Sequence, residues 1–337
     1  MTLAPRIDLI EENHGRLDKN YIINGAFDYF QRALTKLSVD SVSAYYAPDK
    51  WQNTTVNQVF TISRSTDVPA SSKSTYSLQY NTVSPIGAAD RALWSTNRIE
   101  SVFARELSNQ PVSLGFHYKS QSADTIRVII GIPTVKDNHG ALTEIHNQTY
   151  PILNDGSWNR LELENIVLPD SSNGLSVQIR FENTVLLVGN VNHNIADAKL
   201  SIGTKVSDFS LAGRNAAEEL QLCQRYYEKS YDIDTPISTN TKAGATSLIK
   251  QDGSVTDRAY ANAEFKVEKR TTPVMAVYAP TSGVNGQFDV YNGGSVGTLT
   301  GQSWFTGSRG MAGWFDADIV LSVTLLHLIH WTADAEL

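Results

Sequence analysis

A chain of 337 residues is long enough for two domains with separate cores. Its formal net charge of -7 argues against a nucleic-acid binder, which needs a basic face for phosphates; 41% hydrophobic and 19% charged residues describe an ordered chain with a polar surface. The one cysteine, Cys223, excludes an intrachain disulfide framework and a Cys-rich zinc site.

Residues 1–19 are polar with interspersed charges and read as a tail, or as an anchor that orders on a partner. They lack an apolar core, so no secretory signal is expected. The longest apolar run, 319–329, is too short to span a bilayer and reads as strand. At 20–28 (NYIINGAFD) a short apolar strand is expected to run into Asn24-Gly25, a strong tight-turn dipeptide. The aromatic cluster Phe27, Tyr29 and Phe30 follows. Strand-like segments then recur at 59–63, 76–80, 93–99, 112–118, 125–130, 158–163, 175–181 and 198–202. Several alternate apolar with polar residues, as half-buried antiparallel strands do. So many strands without a substantial helix predict an all-β fold, a jelly-roll β-sandwich over 20–212.

The spacing predicts one long helix at 215–230, a connector over 213–232. Ala216, Leu220, Cys223, Tyr227 and Tyr231 recur on one helical stripe. Asn215 fits the N-cap, with Glu218 reaching back in a capping box, and Lys229 suits the negative end of the dipole. Beyond it, strand signals at 259–267, 274–278, 287–291 and 317–331 alternate with Gly-rich loops. They predict a smaller C-terminal antiparallel β domain over 233–337. The last strand is apolar on both faces for much of its length, so a subunit interface is its natural cover.

The order of these segments carries a resemblance. NYIINGAFD at 20–28, with Gln31 and Arg32, looks like the start of jelly-roll domains in phage tail-fibre and other virion appendage proteins, domains themselves similar to carbohydrate-binding modules. YAPDKW at 46–51 is similar to that family's aromatic-x-x-Asp-basic-Trp element. NRIE at 97–100 resembles the segment preceding its thr-val-ser-phe strand, here PVSLGFHY at 111–118. GSWNR at 156–160 looks like its Trp-centred turn, LQLCQRYYEK at 220–229 its linker, and WTADAEL at 331–337 its usual last residues. The N-terminal tail and 281–310 match no motif. The resemblance implies a virion structural protein at work on the particle, made in a host cytoplasm.

Among candidate chemistries, the seven histidines form no ligand pattern: His327 and His330 are three apart on a probable strand, and His139 and His146 lie near Asp137 and Glu144 in a turn-rich segment. Glu162 and Glu164 share a strand face, unlike glycosidase carboxylates, which flank a cleft from separate elements. No Ser elbow, P-loop or dinucleotide fingerprint occurs, so no enzymatic activity is expected. Carbohydrate modules that the chain resembles carry structural calcium, yet no dense Asp/Asn loop has ligand spacing, and no cofactor is expected. Asp289, Asp316 and Asp318 fit solvated turns better than a cation site.

Aromatic residues are the better lead, because sugar rings present apolar C–H faces that flat side chains cover while Asn, Asp and Gln serve the hydroxyls. Tyr45, Tyr46, Trp51 and Trp94 are candidates for such a platform, although Trp51 and Trp158 sit at motif positions, which suits structure. Trp304, Phe305, Trp314 and Phe315 lie in and beside the Gly-rich loops and divide between tip contacts and local core. Leu220, Cys223, Tyr227 and Leu325 are candidates for an oligomer interface. The expectation is an appendage protein that attaches to a host surface by multivalent glycan binding, as a homotrimer, held to other virion proteins by its N-terminal segment. A host-surface protein is the other receptor class; nucleic acid and membrane insertion are not expected. A purely architectural capsid or tail protein and a capsule-degrading enzyme are the rival classes.

Overall fold

The computed structural model describes residues 19–38, 42–45, 47–85, 91–183, 191–210, 214–250, 258–290, 295–317 and 327–337. The chain divides into two compact units. One holds residues up to Phe30, Leu34–Glu219 and Leu337; the other holds Gln31–Ala33 and Leu220–Glu336.

In the first unit, period-two alternation produces two antiparallel sheets. The six-stranded sheet runs β1 (Thr35–Leu37), β3 (Gln58–Ser65), β4 (Ser77–Pro85), β11 (Asn192–Ile202), β6 (Pro111–Ser120), β9 (Trp158–Val167). The five-stranded sheet runs β2 (Trp51–Val56), β5 (Arg91–Ile99), β10 (Leu175–Asn183), β7 (Thr125–Val135), β8 (Asn138–Pro151). Consecutive strands cross repeatedly from one sheet to the other, as a jelly-roll sandwich requires. Each strand hands one face to a shared core. Ile126, Val128 and Ile130 of β7 and Leu175, Val177 and Ile179 of β10 are fully buried there. Asn53 is buried among them, and its Nδ2 donates to Tyr80 Oη and Ser95 Oγ, both at 2.8 Å, tying the sheets together through a polar contact.

The opening segment folds differently from its expected strand. Residues 22–26 form turns, and Asn20 spans its neighbours: Nδ2 donates to the Ala198 carbonyl at 3.0 Å, while Oδ1 accepts from Ile22 N at 3.0 Å and Leu200 N at 3.1 Å. Asn24 takes a left-handed φ of 57°, which Asn tolerates. At Gly25 a Cβ would lie 2.1 Å from the Ala198 carbonyl oxygen, so glycine is required by close approach to β11.

A short α1 (Ser101–Ala104) follows β5, and α2 (Ala216–Gln224) begins with the expected capping box. Glu218 N donates to Asn215 Oδ1 at 3.0 Å, and Asn215 N donates to Glu218 Oε2 at 2.8 Å. The helix stops well short of its expected end. The chain turns extended at β12 (Tyr227–Lys229), which pairs with β19 (His327–Asp334). Lys229 therefore caps no helix: its buried Nζ donates to the carbonyls of Gln31, Ile233 and Thr235 at 2.6, 2.9 and 2.5 Å. Backbone pairing and burial override the helical spacing here.

The second unit is antiparallel. Its remaining strands are β13 (Thr246–Lys250), β14 (Arg258–Glu264), β15 (Val274–Tyr278), β16 (Gln287–Val290), β17 (Ser295–Thr306) and β18 (Gly310–Ala317). Pairing passes from β19 through β13, β14, β18, β17 and β16 and returns to β19, which closes the ring and leaves these strands no free edge between them. The outer half of β19 instead holds β12 on one side and β15 on the other. All eight β19 residues but Asp334 are buried within the chain's own fold, so this part of the last strand needs no partner subunit as cover. Trp304, Phe305, Trp314 and Phe315 stand on β17 and β18, and the Gly-rich stretch between them is the hairpin tip.

Candidate functional site

The outward face of the five-stranded sheet gathers flat and polar side chains in cross-strand rows. One row runs Thr54, Trp94, Arg180, Arg127, Thr149 across β2, β5, β10, β7 and β8. The next runs Gln52, Thr96, Gln178, Ile129, Asn147. They alternate with the residues that enter the core, and Thr54 and Thr96 among them are themselves buried. On β10, Val177, Ile179 and Phe181 turn into the core, so Gln178, Arg180 and Glu182 turn out.

Specific contacts hold the array. The Arg180 guanidinium lies 4.8 Å from the centre of the Trp94 ring. Arg180 Nε and Arg127 Nε reach the same Glu182 oxygen, Oε1, at 2.8 and 3.2 Å. Gln178 Nε2 donates to Thr96 Oγ1 at 3.3 Å, and Arg98 donates to Gln52 Oε1 at 2.8 Å. Arg98 also donates to the Leu337 carbonyl, and Tyr45 Oη donates to the same oxygen at 3.4 Å. Burial lowers the Arg180 pKa, Glu182 opposes that shift and Arg127 adds to it. The result is a half-exposed indole with a guanidinium held over its ring, bordered by amide and carboxylate groups. Such a surface can cover an apolar ring face and hydrogen-bond groups around its rim.

Trp51 does not belong to it. The indole is fully buried, stacks on Phe27 at 5.1 Å between ring centres, and donates from Nε1 to the Asn24 carbonyl at 3.0 Å. On β2 the alternation puts Trp51, Asn53 and Thr55 inward, so a platform role for Trp51 is corrected to a core role. Tyr45 lies beside β2, where neighbouring Ala44 bridges Asn53, and is partly exposed. Tyr46 falls outside the described residues.

No known family model matches the sequence, and no curated protein matches it. Solved structures do show likenesses. The enzymatically active domain of tailspike protein 4 from bacteriophage CBA120 matches at 19% identity and a TM-score of 0.36, over 55% of this chain and 21% of that one. The carbohydrate-binding module TmCBM61, solved with beta-1,4-galactotriose, matches at 13% identity and a TM-score of 0.30, over 55% of this chain and 99% of that one. The CBM22-2 xylan-binding domain of Paenibacillus barcinonensis Xyn10C matches at 13% identity and a TM-score of 0.29, over 46% and 92%. The chain is thus similar to β-sandwich modules.

The other expected positions scatter. Trp314 is partly buried on β18, opposite Tyr260 of β14, in the second unit. Trp304 pairs through its backbone with Gly313, and its side chain lies outside the described ones. Phe305 is 67% exposed, beside the Glu268–Arg309 ion pair at 3.2 Å. Of the expected oligomer contacts, Cys223 is fully buried, and Tyr227 is buried beneath the Arg32 guanidinium, 3.9 Å from its ring centre. Neither has surface for a threefold contact, which corrects both. Leu220 is partly buried, and Leu325 falls outside the described residues. Among the described residues no group of three or more His, Cys, Asp or Glu side chains could hold a metal ion. Asp289 is buried and accepts from Thr281 Oγ1 at 2.7 Å.

Arg127, Gln178, Arg180 and Glu182 were not candidates from sequence. Their signal is the polar half of a clean alternation, which marks them as outward but not as neighbours of Trp94. Only the register of β5, β10 and β7 supplies that.

Proposed function

We propose that this chain is a virion appendage protein whose sandwich attaches to glycan on a host surface through the outward face of the five-stranded sheet, without turning the glycan over. The observation that carries this is Trp94, held half-exposed in a row of planar polar side chains. A pyranose C–H face would lie against the indole and guanidinium, while Gln178 and Glu182 serve its hydroxyls. The run of segments resembling phage appendage proteins supports the location. Self-association, with three copies the preferred number, would let weak sites act together by effective concentration.

Binding of the purified chain to surface polysaccharide from candidate host bacteria tests the proposal. Trp94→Ala should weaken binding at least tenfold, a loss of about 1.4 kcal/mol or more, with an unchanged far-UV CD spectrum. Unaltered binding by the variant would move the site elsewhere. Release of reducing ends would replace attachment with catalysis, and a single-chain mass by light scattering would remove the avidity component.

A further inference from the structure

We propose that the Arg180–Glu182–Arg127 triad makes this face selective for glycans bearing a carboxylate sugar, a uronic acid being the simplest class. This rests on the glycan-binding reading above and specifies its ligand. Arg180 and Arg127 are direct cross-strand partners, so two guanidiniums stand side by side. One carboxylate oxygen serves both, through Nε of each. The triad therefore keeps one positive charge in excess, on a chain whose formal net charge is -7.

The excess charge is reachable. The Arg180 and Arg127 side chains are 28% and 38% exposed, whereas Glu182 is 19% exposed and lies deeper. Among the described residues, neither guanidinium uses its terminal nitrogens in a hydrogen bond. A guanidinium offers five N–H donors in a planar fork that matches a carboxylate in bidentate geometry. Crowding of like charges beside Arg180 is what a second anion would relieve. Trp94 fixes the distance: Arg180 already sits 4.8 Å from the indole centre, so a sugar ring on that surface brings a carboxyl on its own ring carbon within reach of the fork. A neutral hexose would fill the same surface without answering the charge.

The test is an array of uronic-acid oligosaccharides, each beside its methyl ester and beside neutral oligosaccharides, probed with the full chain. The free acids should bind about tenfold more tightly than their esters, and the gap should shrink as salt rises. Arg127→Gln, which leaves the Trp94 indole and the Arg180 guanidinium over it in place, should shrink the gap between acid and ester. Glu182→Gln, which removes the internal competitor, should widen the preference for acids. Equal binding of acid and ester by the unaltered chain overturns the inference and leaves glycan attachment standing. Binding to no member of the array overturns both.

Discussion

Trp51 and Trp94 show how parity along a strand assigns the same side chain opposite work. Trp51 begins the inward set of β2 and is sealed between Phe27 and the Asn24 carbonyl, while Trp94 falls in the outward set of β5. A buried histidine carries a residue-scale prediction. His193 is fully buried between Phe60 and Phe181, with Ser120 Oγ 3.0 Å from Nδ1, and Nε2 has no partner among the described residues. Burial pushes its pKa down from 6.5 to about 3. The native state thus keeps the ring neutral over a range where the unfolded chain protonates it. Above about pH 6.5 both states are neutral and nothing is lost; as pH falls from there toward about 3, stability drops by about 1.4 kcal/mol per unit from this residue alone. Urea unfolding between pH 7 and 4 should show that slope, and His193→Phe should flatten it.

Among the elements, the Asn24-Gly25 turn and α2 divide what sequence could and could not reveal. The turn was legible from its dipeptide, but the reason for glycine was not: it is the carbonyl of Ala198 on β11, far away in sequence. Gly25→Ala should cost about 2–3 kcal/mol, or prevent folding, because backbone rather than a movable side chain occupies the Cβ position. A lower urea midpoint at constant slope would show it, and an unchanged midpoint would mean that the turn can back away from β11. For α2 the capping box was legible because its partners are three residues apart. Its end was not, because β12 is set by pairing with β19 about a hundred residues later. The strands β7 and β10 announced themselves by alternation. The strand β8 did not, since its edge position leaves most of its residues exposed and few of them apolar.

At the scale of the whole molecule, the jelly-roll class followed from many short alternating segments, and the second unit's ring of strands did not, because closure depends on pairings between β19 and strands on both sides of it. The same limit applies to the candidate site. Trp94 could be named from sequence, but its company of Arg180, Arg127 and Gln178 exists only in the register of three strands. Aromatic groups suited to contact therefore occur in both units: Trp94 with Tyr45 in one, Phe305 with Trp314 in the other. Hydroxyl-radical footprinting of the full chain, with and without the tightest-binding array oligosaccharide, separates them most directly. Protection should fall on Trp94 and spare Phe305 and Trp314; protection confined to Phe305 and Trp314, with Trp94 as reactive as in the free protein, would contradict the account.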